Sequence, residues 1–192
     1  MSDLIIDGIS NAPGGVFNKV IIDGMSSISG DLTCDSMEVD GVCKINGNVR
    51  VKYMFEMDGV CNIAGDLDAE DVDFDGRMNI TGNMSAEKVR VEGSLTVNRT
   101  LNAGELDLKF QGQARAKEVV GGKIRIHLRT GTGHFQAELI EGDEIDIERS
   151  RVDTIRGGRV AIGKGCAVGK VEYRDELTLH PKAVVKEKVK LD

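Results

Sequence analysis

Five stretches of this chain repeat one short pattern: Val20-Ile-Ile-Asp-Gly24, Met37-Glu-Val-Asp-Gly41, Phe55-Glu-Met-Asp-Gly59, Val72-Asp-Phe-Asp-Gly76 and Val89-Arg-Val-Glu-Gly93. The glycines advance by 17, 18, 17 and 17 residues, and a second glycine follows six residues after each of the first four, at Gly30, Gly47, Gly65 and Gly82. A unit this short cannot bury a core of its own. Each copy is therefore one coil of a solenoid, whose interior is made only by stacking coil on coil.

The spacing of apolar residues inside a coil identifies its strands. From Val89 they fall at every second position (Val89, Val91, Leu95, Val97, Leu101, Ala103), skip two residues and restart at Leu106 and Leu108, so the period is 2 and helical spacing is absent. Each coil holds three short strands, with glycine at the first two breaks. Glycine there supplies the positive φ of a sharp corner, and the neighbouring Asp or Asn can bond its own turn. The expected fold is all-β, a single-stranded parallel β-helix with three sides, in which each side chain lies over its counterpart about 4.8 Å away in the next coil.

Three columns follow by counting. Val20, Met37, Val72, Val89 and Leu106 form one; Ile28, Ile45, Ile63, Ile80 and Val97 a second; Leu32, Val49, Leu67, Met84 and Leu101 a third. Phe55 arrives one residue late in the first column, which places a bulge around Lys52 to Met54. The pattern extends back through Leu4, Ile6 and Gly8, with the coil through Asn11-Ala-Pro-Gly-Gly15 one residue short. After Ala116 the glycines leave register, but alternation returns at Ile124, Phe135, Ile145, Val160, Cys166, Leu177 and Val189. Longer corners are expected at Arg129-Thr-Gly-Thr-Gly133 and Arg156-Gly-Gly158. The chain reads as a single β-helix domain over 1–192, regular from about 4 to 117 and less regular from about 118 to 192. With ~9 to 11 coils it makes a rod roughly 40 to 55 Å long.

Composition fits a narrow aliphatic interior. The chain has 24 Gly, only 2 Pro, no Trp and 4% aromatics; a proline would remove a ladder donor. No apolar run approaches a membrane span, and Met1-Ser-Asp-Leu-Ile-Ile-Asp lacks the basic start and apolar core of a secretory signal. A cytoplasmic location is expected. Three glycosylation-type triplets, beginning at Asn79, Asn83 and Asn98, then read as turn chemistry. Charge is uneven: residues 1–110 carry 9 Lys plus Arg against 19 Asp plus Glu, whereas residues 111–192 carry 16 against 13. At a net charge of −7 with so few aromatics, nucleic acid is not an expected partner.

Candidate chemistry has plainer readings. Cys43 and Cys61 share a column, Cys34 shares that of Val51, Ala69, Ala86 and Ala103, and Cys166 alternates with Val168, so all four read as small buried hydrophobes. The column spacing permits a Cys43–Cys61 disulfide, but a reducing cytosol opposes one. No metal site is expected, because His127, His134 and His180 have no Cys or His at ligand spacing. Asp71-Val-Asp-Phe-Asp-Gly76 imitates the start of a calcium-binding loop but has Gly82 where a bidentate glutamate is needed. Its carboxylates join a corner column of Asp23, Asp40, Asp58, Asp75 and Glu92. Gly163-Lys-Gly-Cys-Ala-Val-Gly-Lys170 lacks the spacing of a phosphate loop. No catalytic residue or cofactor is expected.

Two function classes compete. The six-residue glycine step is similar to that of hexapeptide-repeat acyltransferases, but the third side breaks the step, and His127 and His134 are the only candidate bases, both in an irregular segment. The succession of Val-x-Val-Asp-Gly, Ile-Asn-Gly-Asn and Ile-Ala-Gly-Asp-Leu coils, with the closing stretch Glu141-Gly-Asp-Glu-Ile-Asp-Ile-Glu-Arg149 through Val152, Arg156 to Cys166 and Val171-Glu-Tyr173, resembles the bactofilin family of bacterial polymer-forming cytoskeletal proteins, in the variant found in Gram-positive bacilli. The resemblance implies a right-handed β-helix that polymerises end to end without nucleotide. It also implies a scaffold for envelope-associated processes, with envelope or motility-machinery proteins as clients, and leaves open attachment to the inner face of the membrane. Physics points the same way, because an uncapped β-helix presents an unpaired strand edge at each end. The candidate interface is Leu4, Ile6, Val16 and Phe17 at one end and Leu177, Leu179, Val185, Val189 and Leu191 at the other. Lys182, Lys186, Lys188 and Lys190 are the counter-signal, since they could blunt that edge and leave a soluble, non-polymerising interaction module.

Overall fold

The computed structural model describes residues 2–192; Met1, the first residue of the expected domain, lies outside them. The chain is all-β, a single parallel sheet wound into a solenoid, with no helix among the described residues. Seven strand segments succeed one another in chain order: β1 (Leu4–Asn46), β2 (Val49–Ile63), β3 (Leu67–Ile80), β4 (Met84–Ile147), β5 (Ser150–Ile162), β6 (Ala167–Leu179) and β7 (Val184–Lys190). β1 and β4 are long because they run through several corners without losing strand geometry.

Register confirms the columns. Met37 pairs with Phe55 and Phe55 with Val72; Ile45 with Ile63, Ile80 and then Val97; Leu32 with Val49, Leu67 and then Met84. All of these side chains are buried. The chain gains its core through like-on-like aliphatic stacking, each member closing the void left by its neighbour. The bulge lies where counting placed it: Cys34 pairs with Val51 and Ser36 with Met54, leaving Lys52 and Tyr53 opposite the single Asp35. Lys52 Nζ stands 4.6 Å over the Tyr53 ring on this outward bulge.

The two glycine columns do different work. Gly24, Gly41, Gly59, Gly76 and Gly93 all have positive φ, between 116° and 145°. In the second column the expectation needs correction, since only Gly30 has positive φ. Gly47, Gly65 and Gly82 are there because a Cβ would run into the previous coil, Gly47 into the backbone of Gly30 and Gly82 into the Asp66 carboxylate. The polar neighbours also differ from expectation, bonding the next coil rather than their own turn. Asn48 N donates to Asp31 Oδ1 (2.8 Å), Asp66 N to Asn48 Oδ1 (2.9 Å) and Asn83 N to Asp66 Oδ1 (2.7 Å). At this corner the backbone ladder continues, with Gly65 N donating to Gly47 O (3.1 Å) and Gly82 N to Gly65 O (3.0 Å), and the side chains take the one further donor of each coil, so it is not orphaned. Gly59→Ala combines strained φ with a clash on the Gly41 carbonyl, and it should lower stability by about 1–3 kcal/mol. Gly112 (φ 73°) has nothing near its Cβ position, and Gly112→Ala should cost only the αL penalty of about 1 kcal/mol. Urea midpoints of the two variants measure the difference.

Beyond residue 116 the coils vary in length. Gly133 stacks on Gly112, a step of 21 residues, and the surplus forms the exposed corner around Arg129–Thr132. The next steps are shorter, with Phe135 on Ser150 and Arg151 on Ala167. Arg156-Gly-Gly158 is not the longer corner it was expected to be. Gly142 pairs with Gly157 and Glu144 with Arg159 without a slip, and the extra residue falls one coil later, where Arg174 and Asp175 oppose Gly158.

Candidate functional site

The two ends of the rod carry most of the expected interface. At the C-terminal end β7 pairs only with Ala167–Tyr173, so the side holding Leu177, Thr178 and Leu179 is bonded back to Val160, Ala161 and Ile162 and has no strand beyond it. Leu177, Leu179 and Val185 are half-buried, each resting on a fully enclosed residue of the coil before. Val189 needs correction. Val171, an inward residue, pairs with Lys188, and Glu172, on the outward column of Glu141 and Arg156, pairs with Val189. The last inward position on this side is thus a lysine, and Val189 lies outside the core column. An inward-directed charge is a recognised way of blunting a sheet edge. Leu191 is half-buried and its N–H bonds Tyr173 O at 2.8 Å.

At the N-terminal end Asn18 N donates to Ser2 O (3.0 Å), which closes the first coil. Leu4 and Phe17 are half-buried, and Val16 is 59% exposed. Ile6 is only 5% exposed, leaving little of it for a partner to cover. The Phe17 ring turns back over Gly15, where a Cβ would meet it at 3.3 Å.

An outward feature escaped the sequence reading. Each residue after the positive-φ glycine points out, and in the first four coils these are Ile9, Met25, Val42 and Val60, followed by Arg77. Ile9 is 87% exposed, Met25 52% and Val42 38%. Across the glycines runs the acidic column, whose first members Asp7, Asp23, Asp40 and Asp58 are exposed and form no ion pair among the described residues. The column is neutralised only further along. Lys109 meets Glu92 (3.1 Å), and Arg129 reaches back from its corner to Glu92 (3.1 Å) and Asp75 (3.4 Å). Lys109 and Arg129 together hold the Glu92 carboxyl below its usual range. The C-terminal coils follow the opposite rule, alternating sign along a column: Arg156 bridges Glu141 (3.0 Å) and Glu172 (2.8 Å), and Arg159 pairs with Glu144. The Lys170 ammonium and Arg156 lower the Glu172 pKa.

On the second side of the later coils lies a groove of about 550 Å³, running from Asn98 to Val184 over a floor that includes Ala137, Ala167 and Val168. Four cations line it, Arg115, Lys117, Arg151 and Lys186, with the carboxylates Glu138 and Asp153.

The calcium-like carboxylates lie along an extended strand, with Asp73 held by Arg90 (3.1 Å) and Asp75 by Arg129. Neither candidate base lines the groove. His134 Nε2 is 2.8 Å from Gln136 Nε2, and His127 Nε2 sits 3.3 Å from Asp146 Oδ1 without hydrogen-bond alignment. The four cysteines are free thiols and buried. Burial, with Asp35 nearby, pushes the Cys34 thiol up to about 11. Contact with Cys43 and burial raise the Cys61 thiol; Cys43 in turn accepts from Ser26 Oγ at 3.3 Å. The folded protein should react with less than one equivalent of a maleimide at pH 8 and with four after denaturation, because all four thiols are buried and burial also withholds the thiolate at Cys34, Cys61 and Cys166.

No helix among the described residues is long and apolar enough to cross a membrane. Fold and surfaces together define a parallel β-solenoid rod with uncovered strand edges at its ends. The Bacillus subtilis (strain 168) protein named "Uncharacterized protein YhbE" is 34% identical over 231 aligned positions, spanning 98% of each chain. The chain belongs to the family of YhbE. A second B. subtilis protein, "Uncharacterized protein YhbF", is 33% identical over 97 residues, 47% of this chain and 41% of that protein. No family model and no solved structure matches.

Proposed function

We propose that this protein is structural: a rod that joins end to end, without nucleotide, into filaments serving as a scaffold for envelope-associated processes. The observation that carries this is the half-finished last coil, in which Leu177 and Leu179 form an apolar strand edge with nothing above it. A strand edge with free backbone donors and acceptors is a template for another strand, and here two half-buried leucines add apolar area to it. The first coil offers Leu4 and Phe17 in the same half-covered state. The resemblance of the coil motifs and of the 141–173 stretch to bactofilins supports the same reading. Lys188 confines the joint to two of the three sides, since a third-side contact would have to desolvate its ammonium.

Lys188 is also the observation in favour of a second reading, a soluble rod that does not polymerise. Negative-stain microscopy and sedimentation of the purified protein, with and without nucleotide, separate the two. Filaments of equal length in both conditions are expected. A strictly monomeric protein across salt and concentration would remove the cytoskeletal reading.

A further inference from the structure

We infer that the first four coils dock a basic amphipathic helix of a partner protein, laid along the rod with its apolar stripe on the ridge and its Lys or Arg side chains on the acidic column. The contact needs a single rod, so it holds whether or not rods join end to end.

The two columns flank one trough. Ile9, Met25, Val42 and Val60 stand on one side of the glycine corner, and Asp7, Asp23, Asp40 and Asp58 on the other, coil by coil. Between them Gly8, Gly24, Gly41 and Gly59 stack on one another and carry no side chain to fill the space. One wall is therefore apolar and the other anionic. None of the four aspartates has an ion pair among the described residues. Two cations stand near the apolar wall, Lys44 two residues beyond Val42 and Arg77 at the end of the ridge, and neither pairs with the aspartates.

The chain itself shows what covers such a column. In the next two coils the acidic positions are Asp75 and Glu92, and there Arg129 reaches back to both, at 3.4 and 3.1 Å, while Lys109 meets Glu92 at 3.1 Å. In those same coils the ridge position is polar, Arg77 and then Ser94. Where the chain supplies its own cations the neighbouring position is polar, and where it supplies none that position is apolar. An exposed apolar strip rimmed by charge marks an interaction site, and this one calls for cations and aliphatic side chains together.

Spacing selects a helix as the occupant. The ridge repeats once per coil, about 4.8 Å, close to the roughly 5–6 Å between residues three or four apart on one helix face. An extended strand shows the same face only every ~6.6 Å. Three coil steps come to ~14 Å, or about ten residues of helix. A second copy has no helix to offer among the described residues, and an anionic lipid surface would be repelled by the aspartates.

Binding of a synthetic peptide tests this. The probe is a labelled Leu/Lys peptide of about 14 residues, with leucines on one helical face and lysines beside them; its controls carry Glu for Lys or a scrambled order. The Leu/Lys peptide should bind the full chain, gain helical circular dichroism on binding and weaken as salt rises. Met25→Ser with Val42→Ser, and separately Asp23→Asn with Asp40→Asn, should each weaken it by roughly tenfold or more. All four positions are exposed, so the urea midpoint should stay that of the parent. Asp68→Asn with Glu87→Gln, exposed carboxylates on the third side, should change affinity by less than about twofold. Absence of binding, equal binding of either control peptide, indifference to the ridge or aspartate changes, or equal loss with the third-side changes would each overturn the docking site. Retention of the chain on phosphatidylserine vesicles that the Met25/Val42 variant loses would overturn it too, in favour of a lipid surface. Filament formation is scored separately: its loss in the Met25/Val42 variant would assign the ridge to a second copy, whereas its absence in the parent bears on the end joint alone.

Discussion

Ile63→Asp should lose several kcal/mol of stability and shift the urea midpoint accordingly. Ile63 is 1% exposed, with Ile45 in the coil on one side and Ile80 on the other. Its removal forfeits about 1.5–3 kcal/mol of apolar burial. The carboxylate that replaces it finds no donor within the column and must either protonate or open the coil to water, a further cost of several kcal/mol. Ile63→Val in the same position should cost only about 0.5–1.5 kcal/mol. A variant with Asp at 63 that melts like the parent would show that the column does not form the core.

Leu179→Arg has the largest expected effect on assembly. Leu179 rests on Ile162 and faces the open end, so its outer surface is dry only when another rod abuts it. Covering such a side chain is worth about 1.5–3 kcal/mol per joint, which is roughly a 10- to 150-fold change in the joint's equilibrium constant. Arginine would be tolerated in the free rod, where its guanidinium reaches water, and desolvated in the joint. The variant should keep the parent's circular dichroism and urea midpoint while filaments disappear in microscopy. Lys117→Arg, an outward position already charged, should leave assembly intact. Filaments persisting with Arg at 179 would place the joint elsewhere.

The coils were legible because a solenoid writes its tertiary contacts at constant separation in sequence. Once Ile45, Ile63 and Ile80 are seen one period apart, stacking is the only geometry that buries them all. The Lys52–Tyr53 bulge was legible for the same reason, as one residue too many. Glycine at the second corner was misread because Gly30 and Gly47 look alike in sequence, whereas only packing against the coil before distinguishes an allowed φ from a close approach. The fate of Val189 was hidden by a local pattern. Alternation in Val189-Lys-Leu191 is equally regular in either phase, and only pairing with Val171 and Glu172 decides which residue faces in. The outward ridge was missed because an apolar residue after a corner glycine breaks no rule of the repeat. Its signal is the run of Ile, Met, Val and Val at that one position in successive coils.

The direction of the ladder has a mechanical consequence. All coil-to-coil pairing is parallel and runs along the rod's long axis, so a pull applied at the two ends loads one row of bonds at a time, in zipper rather than shear geometry. The weakest row yields first, and each coil set free contributes 17 residues or so of slack, about 55–60 Å at the extended length of a chain. A filament made of such rods would answer tension by lengthening in coil-sized steps at modest force, and would shorten again as coils rewound. Its backbone would act as a shock absorber as much as a girder.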